Sequence, residues 1–243
     1  MPKTRLGILA ALLASTLTLP ATAGHLTWDM SAVGLPGSSS FSADALKATE
    51  VSHIMFTGPT TWIEHGFAKI TGVLNGGVQS VPTGLNSDYS LYFDFTATGD
   101  LMTGTIDTLA MTLYGVAGVA NFGLDASNNA FVDNGANLPL ALATITFLKG
   151  TIGGAPGTDL SANIWGTFAA TKGGAPAFLS PSLPAPFYGK FFHPVSEPGG
   201  ITLVADGIVL NGGDDTLQFV PEPSSLALLA SGLTGALWLR RRR

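Results

Sequence analysis

Strict alternation of apolar and polar side chains marks the middle of this chain. From Tyr89 to Thr96, Leu91, Phe93 and Phe95 alternate with Tyr92, Asp94 and Thr96, the period of two expected of a strand with one buried face. Leu109, Met111 and Leu113 alternate in the same way with Ala110, Thr112 and Tyr114, and the pattern returns at Ile201, Leu203 and Ala205 and at Leu217 and Phe219. Turn signals fall between such runs: Gly99-Asp100, Asn134-Gly135, Gly153-Gly154, Gly173-Gly174, Gly199-Gly200 and Asn211-Gly212-Gly213. Short strands with closely spaced turns predict an all-β domain, an antiparallel β-sandwich of jelly-roll or similar type, rather than a βαβ arrangement. Ser42 to Lys47 reads as one short helix capped by Ser42, and the proline-rich stretch Gly173 to Pro186 as a long surface loop. No fixed repeat is present, which argues against a solenoid or propeller.

Both ends break this pattern. Lys3 and Arg5, an apolar run from Leu6 to Leu19, and Ala21-Thr22-Ala23 are the charged, apolar and small-x-small parts of a secretory signal peptide, with Ala21 and Ala23 setting the cleavage site. Near the other end, Pro221-Glu222-Pro223 precedes the 14-residue uncharged run Leu226 to Leu239 and four arginines, Arg240, Arg241, Arg242 and Arg243. The prolines fix φ and disfavour helix, so Glu222 is held extended. The apolar run is helix-compatible but short of the ~20 residues that span a bilayer comfortably, which makes it a thin or temporary anchor. The arginines keep its end on the cytoplasmic side and leave the residues before Pro221 outside. The expected organisation is a signal peptide (1–23), a single exported β-rich domain (24–219) and a sorting tail with a C-terminal apolar helix (220–243).

The order Pro-Glu-Pro, apolar helix, arginine cluster resembles the PEP-CTERM sorting signal of Gram-negative bacteria that make exopolysaccharide. That resemblance implies recognition of Pro221, Glu222 and Pro223 by an exosortase, a membrane sorting enzyme. It also implies that Arg240 to Arg243 serve as the membrane stop, and that the tail is held only transiently in the inner membrane before delivery to the cell surface or extracellular matrix. The body is similar to the flocculation-associated PEP-CTERM proteins of floc-forming bacteria through Val33-Gly34-Leu35-Pro36-Gly37, the segment from Gly84 to Phe93, and Thr112-Leu113-Tyr114-Gly115. This second resemblance implies a part in flocculation and biofilm formation, with exopolysaccharide as partner.

Charge changes the picture once the ends are set aside. Residues 24–220 hold 15 acidic side chains against five lysines and no arginine, a net charge of −10. Such a body has no basic stripe to neutralise phosphates, which excludes ordinary nucleic-acid binding. With no cysteine in the chain, disulfides, thiolate metal sites and thiol nucleophiles are excluded as well.

Candidate chemistry is sparse. His25, His53, His65 and His193 form no H-E-x-x-H pair, and Glu64-His65 lacks the upstream histidine of an inverted zinc motif. Asp94, Asp100 and Asp107 are available as carboxylates for a glycosidase pair, but spacing alone nominates none. Asp125, Ser127 and Asn129 fall at the 1, 3, 5 spacing of a calcium loop; Ala130 and Ala136 at positions 6 and 12 rule out an EF-hand and leave a looser calcium loop or a plain Asn/Asp-rich hairpin. No other cofactor is called for. Trp28, Trp62 and Trp165 are either core residues or platforms for sugar rings. The reading that follows is a non-enzymatic exported protein of the cell surface or matrix. Its alternatives are a carbohydrate-binding module or secreted glycan hydrolase on the same fold, and a structural envelope protein that self-associates through edge strands.

Overall fold

The computed structural model describes residues 25–37, 39–154, 160–180, 185–193 and 200–220, all within one compact unit spanning Ala23–Glu222. The signal-peptide residues, the Pro-Glu-Pro motif, the apolar run expected to be helical and the arginine cluster lie outside the described residues. In chain order the strands are β1 (Leu26–Trp28), β2 (Phe41–Ala43), β3 (Ala45–Phe56), β4 (Thr61–Asn75), β5 (Val78–Ser80), β6 (Tyr89–Asp100), β7 (Thr105–Ala117) and β8 (Asn121–Leu124). They continue with β9 (Ala130–Asp133), β10 (Leu140–Gly154), β11 (Leu160–Ala170), β12 (Phe178–Ser180), β13 (Ala185–His193), β14 (Ile201–Val204) and β15 (Gly207–Phe219). Among the described residues, helix is confined to the 3-10 turns Met30–Val33 and Ala175–Ala177, and no helix is long and apolar enough to cross a membrane.

Eight of these strands form a ring. Each pairs antiparallel with the next in the order β3, β4, β6, β7, β10, β11, β13, β15, and β15 returns to pair with β3. Spatial order is chain order, so the sheet is an up-and-down meander closed into a barrel. The all-β, antiparallel class is the one the alternation implies. A jelly roll would need Greek-key crossings, whereas here every barrel strand lies beside its predecessor, and opposite walls of the barrel face each other as two leaves would. β5 is appended to β4 and β14 to β15. The last strand divides its outer edge: Thr216 to Phe219 pair with β13, while Gly207 to Leu210 pair with β14.

Alternation places one stripe of each strand inside. Leu91, Phe93, Phe95 and Ala97 of β6, Leu109, Met111 and Leu113 of β7, Ile145 of β10 and Ile164 and Phe168 of β11 belong to one continuous core. A smaller cluster sits outside the wall, where the β8–β9 hairpin covers Val51, Phe67 and Tyr92. At the end where β11 and β15 finish, β1, β2 and β12 form a three-stranded cap. The fully buried Trp28 lies at its centre, with ring centroids 4.9 Å from Phe178, 5.8 Å from Phe41, 5.9 Å from Phe168 and 6.0 Å from Phe219.

Three local expectations are corrected. Ser42 to Lys47 is not helical: its residues end β2 and begin β3, because pairing with β1, β4 and β15 overrides a weak local helix preference. The proline-rich stretch is not simply a surface loop. Its described part includes the turn Ala175–Ala177 and strand β12, and Gly174 packs so closely on the Leu142 backbone that no Cβ would fit. Asn211-Gly212-Gly213 is not a turn but lies within β15, where it forms a bulge.

If Trp28 seals this end of the barrel, Trp28→Ala should cost about 3–5 kcal/mol of stability, read as a lowered urea midpoint with little change in slope. A loss below about 1 kcal/mol would show that the cap is dispensable.

Candidate functional site

The barrel interior carries a cluster of acids. On β3, the inward face is Ala48, Glu50, Ser52 and Ile54; on β4 it is Trp62, Glu64, Gly66 and Ala68, with Ser52 opposite Gly66 and Ile54 opposite Glu64. Gly66 leaves room there: a Cβ would collide with the side chain of Ser52 and crowd that of Phe95. The third acid arrives through the bulge in β15. Gly212 and Gly213 both take φ of 107°, a conformation that glycine adopts without steric cost. The ladder steps from Gly212↔Glu50 directly to Asp215↔Ala48, so that Gly213 and Asp214 stand opposite the single residue Thr49. This turns Asp215 inward, where it is 0% exposed, and Asp214 outward. Lys47 Nζ lies 2.9 Å from Asp214 Oδ1 and donates to Thr216 Oγ1 at 3.1 Å.

Electrostatics follow from that placement. Ser52 Oγ donates to Glu64 Oε1 at 2.6 Å, and Glu64 is also hydrogen-bonded to the carboxyl of Glu50. A bond between two carboxyls requires a proton on one of them. Burial first, then the charge of Glu50, holds the Glu64 carboxyl well above the usual carboxylate range. Asp215 is pushed up in the same direction, by burial first and then by the charges of Glu50, Glu64 and Asp214, with Lys47 pulling the other way. Glu50 and Glu64 line a cavity whose walls include Ile54, Trp62, Met111, Leu160, Ile164 and Phe191. With its opening to solvent it measures about 560 Å³.

The residues singled out in the sequence fall elsewhere. Glu64 and His65 are separated by the pleat: Glu64 faces in, while His65 faces out and lies 3.3 Å from Asp94 Oδ1. His53 is buried on the outer side, 3.4 Å from Asp206 Oδ1. Asp100 accepts from Thr60 Oγ1 at 2.8 Å and from the amides of Met102 and Thr103, closing the β6–β7 turn. Asp94 lies six residues back on the same strand, ~20 Å away, so these two do not form a carboxyl pair. Asp125, Ser127 and Asn129 do come together, at the tip of the β8–β9 hairpin. There Asp125 Oδ1 accepts from the amides of Ser127 and Asn129, each at 2.8 Å, and the Asn129 side chain donates to Oδ2 at 3.1 Å. Those bonds, the Asn129 side chain foremost, lower the Asp125 pKa. Trp28 and Trp62 are core residues, whereas Trp165 is 37% exposed.

Sequence reasoning missed Glu50 and Asp215 and did not see Glu64 as an interior acid. The available signal was a single acid, Glu50, in an otherwise small or apolar stripe of every second residue, Ala48-x-Glu50-x-Ser52-x-Ile54.

Comparison with known proteins locates a second functional element. A model of the PEP-CTERM protein-sorting motif matches residues 219–243. The chain carries this sorting motif at its C-terminal end. No curated protein and no solved structure matches it. The motif implies recognition by an exosortase-type membrane enzyme and makes this an exported, cell-envelope-associated protein. The matched residues begin at Phe219, the last residue of β15.

The interior acids give a signed pH dependence. Glu64 and Asp215 have folded pKa values above their unfolded ones, so their contribution is full below the unfolded carboxylate range and is lost as pH rises through the folded values. The surface acids with lowered values, Asp29, Asp100 and Asp125, act in the opposite sense but only below about pH 5. The Tm of the full chain should therefore fall between about pH 5 and about pH 8, and Glu64→Gln should flatten that slope. A wild-type Tm that climbs across this interval would contradict the placement of the acids.

Proposed function

We propose that this exported barrel is a non-enzymatic component of the extracellular matrix that helps retain cells within exopolysaccharide, as in flocculation and biofilm formation. The observation that carries the reading is the chemistry of one outer wall. Across β6, β7, β10 and β11 the outward rows are Thr96, Ala110, Thr146, Thr167 and Asp94, Thr112, Thr144, Ala169, with Thr98 bonded to Thr108 at 2.6 Å beside them. Short hydroxyl and methyl side chains make this wall low in relief, matched to sugar hydroxyls rather than to a charged ligand. Trp165 stands at its margin, exposed, with Lys149 Nζ 5.6 Å from the ring centroid. An aromatic face beside hydroxyl donors and acceptors is what a pyranose ring stacks on.

One feature supports the absence of catalysis. The inward pair Glu50 and Glu64 is in hydrogen-bond contact, closer than the ~5 Å that a glycosidase leaves for its substrate. The tail fits a transient stay in the inner membrane, being apolar but short, before an exosortase acts near Pro221-Glu222-Pro223 and the protein passes outward.

Retention of the full chain on exopolysaccharide purified from the producing organism should drop about 3- to 10-fold in Trp165→Ala. A deletion strain should settle and aggregate less than its parent; normal settling would remove the matrix role, and sugar released from the polymer would replace it with hydrolysis. Replacing Pro221, Glu222 and Pro223 together by alanine should keep the chain at its longer mass in the membrane fraction. Unchanged mass and unchanged release would show that this motif is not the one read.

A further inference from the structure

We propose that the interior cavity binds a small, uncharged, mainly apolar molecule with one carbonyl oxygen, a ketone or ester, which accepts from the indole N–H of Trp62. This site is distinct from the outer wall and does not depend on the polysaccharide reading. Trp62, the second residue of β4, belongs to the inward face and forms part of the cavity wall. Its ring lies over Gly99, where a Cβ would strike the indole, so the glycine makes the space in which the ring sits. Trp62 is only 2% exposed, yet its N–H meets no acceptor among the described residues. A buried donor left unmet carries a desolvation cost, and an acceptor brought by a ligand removes it.

Position and charge narrow the ligand. Trp62, Ile106 and Leu160 line the cavity and are each the first or second residue of β4, β7 and β11, so it lies towards the end of the barrel opposite the Trp28 cap. Trp28 has an unmet indole N–H as well, but it is packed among aromatic rings, whereas Trp62 borders open space. Ile106, Leu109, Met111 and Ile164 supply an apolar wall for the body of a ligand. Glu50 and Glu64 line the same space, so an anion would meet like charge. An ammonium has donors only and would leave the indole unmet, and a hydrocarbon would do the same. An uncharged carbonyl compound meets the wall and the N–H together. With its opening the cavity measures about 560 Å³, within the ~300–1,000 Å³ of small-molecule sites, and a five-membered ring bearing one oxygen fills only part of it.

The test uses the full-length chain with labelled tryptophan indoles and methionine methyls, followed by NMR. The probes are cyclopentanone, its isostere methylenecyclopentane, which has no acceptor, and cyclopentylammonium, which has only donors. Cyclopentanone should show intermolecular NOEs to the Trp62 indole proton and the Met111 methyl, and should move that indole proton downfield while leaving Trp28 in place. Neither of the other probes should produce the downfield shift. Trp62→Phe should lower the affinity for cyclopentanone relative to methylenecyclopentane about 3- to 10-fold; taking the ratio cancels the volume lost with the indole. Absence of the NOEs (a cavity holding water only), an equal shift with cyclopentylammonium, or an unchanged ratio in Trp62→Phe would each overturn the proposal. Should that variant fail to fold, the wild-type NOEs and the contrast in indole shift between ketone and hydrocarbon still decide.

Discussion

The pairing of β15 with β3 on one side and β13 on the other is the constraint from which the rest follows. Without it the meander would be an open sheet with two long edges, exposed to pairing with other chains. With it, every residue of the ring acquires an inside or an outside, and the period of two sorts the sequence between them. The same closure brings Asp215 against Glu50, two residues that are neighbours only because β15 lies beside β3.

The two ends of the barrel are built to different rules. One is sealed by aromatic rings around Trp28, close-packed and apolar. The other half keeps three carboxyls and a cavity, at a cost in desolvation that burying ionisable groups always carries. A barrel designed only for stability would have continued the apolar stripe of β6 and β7 through β3 and β4. Local violations of the core rule of this kind concentrate where a protein has something to bind or to switch.

Much of the fold was legible because β6 and β7 alternate strictly, and alternation survives whatever a strand pairs with. Closure was not legible, since it rests on partners far apart in the chain and on no local signal. Ser42 to Lys47 misled because serine, alanine, aspartate and leucine tolerate a helix cap, while flanking strands decide the outcome. Gly212-Gly213 misled because two glycines serve a turn and a bulge equally well. The interior acids stayed hidden for a related reason: β3 has apolar residues on both faces, Leu46 and Ile54 within and Val51 and Met55 without, so its sequence does not say which stripe is enclosed. Only the tail was explicit, because its message is carried by consecutive residues rather than by a fold.

The separation of β3 from β15 also sets the order in which this protein can be finished. β3 ends at Phe56 and its partner does not begin until Gly207, and such non-local pairing folds slowly because a long loop must close before any contact rewards it. With no cysteine in the chain, nothing covalent holds the early strands in register meanwhile. A chain made from its N-terminus therefore remains an unclosed ribbon until its final strand is available. The residues that complete the ring run directly into the sorting motif at Phe219, so maturity of the fold and presentation of the address arrive in the same short stretch of synthesis.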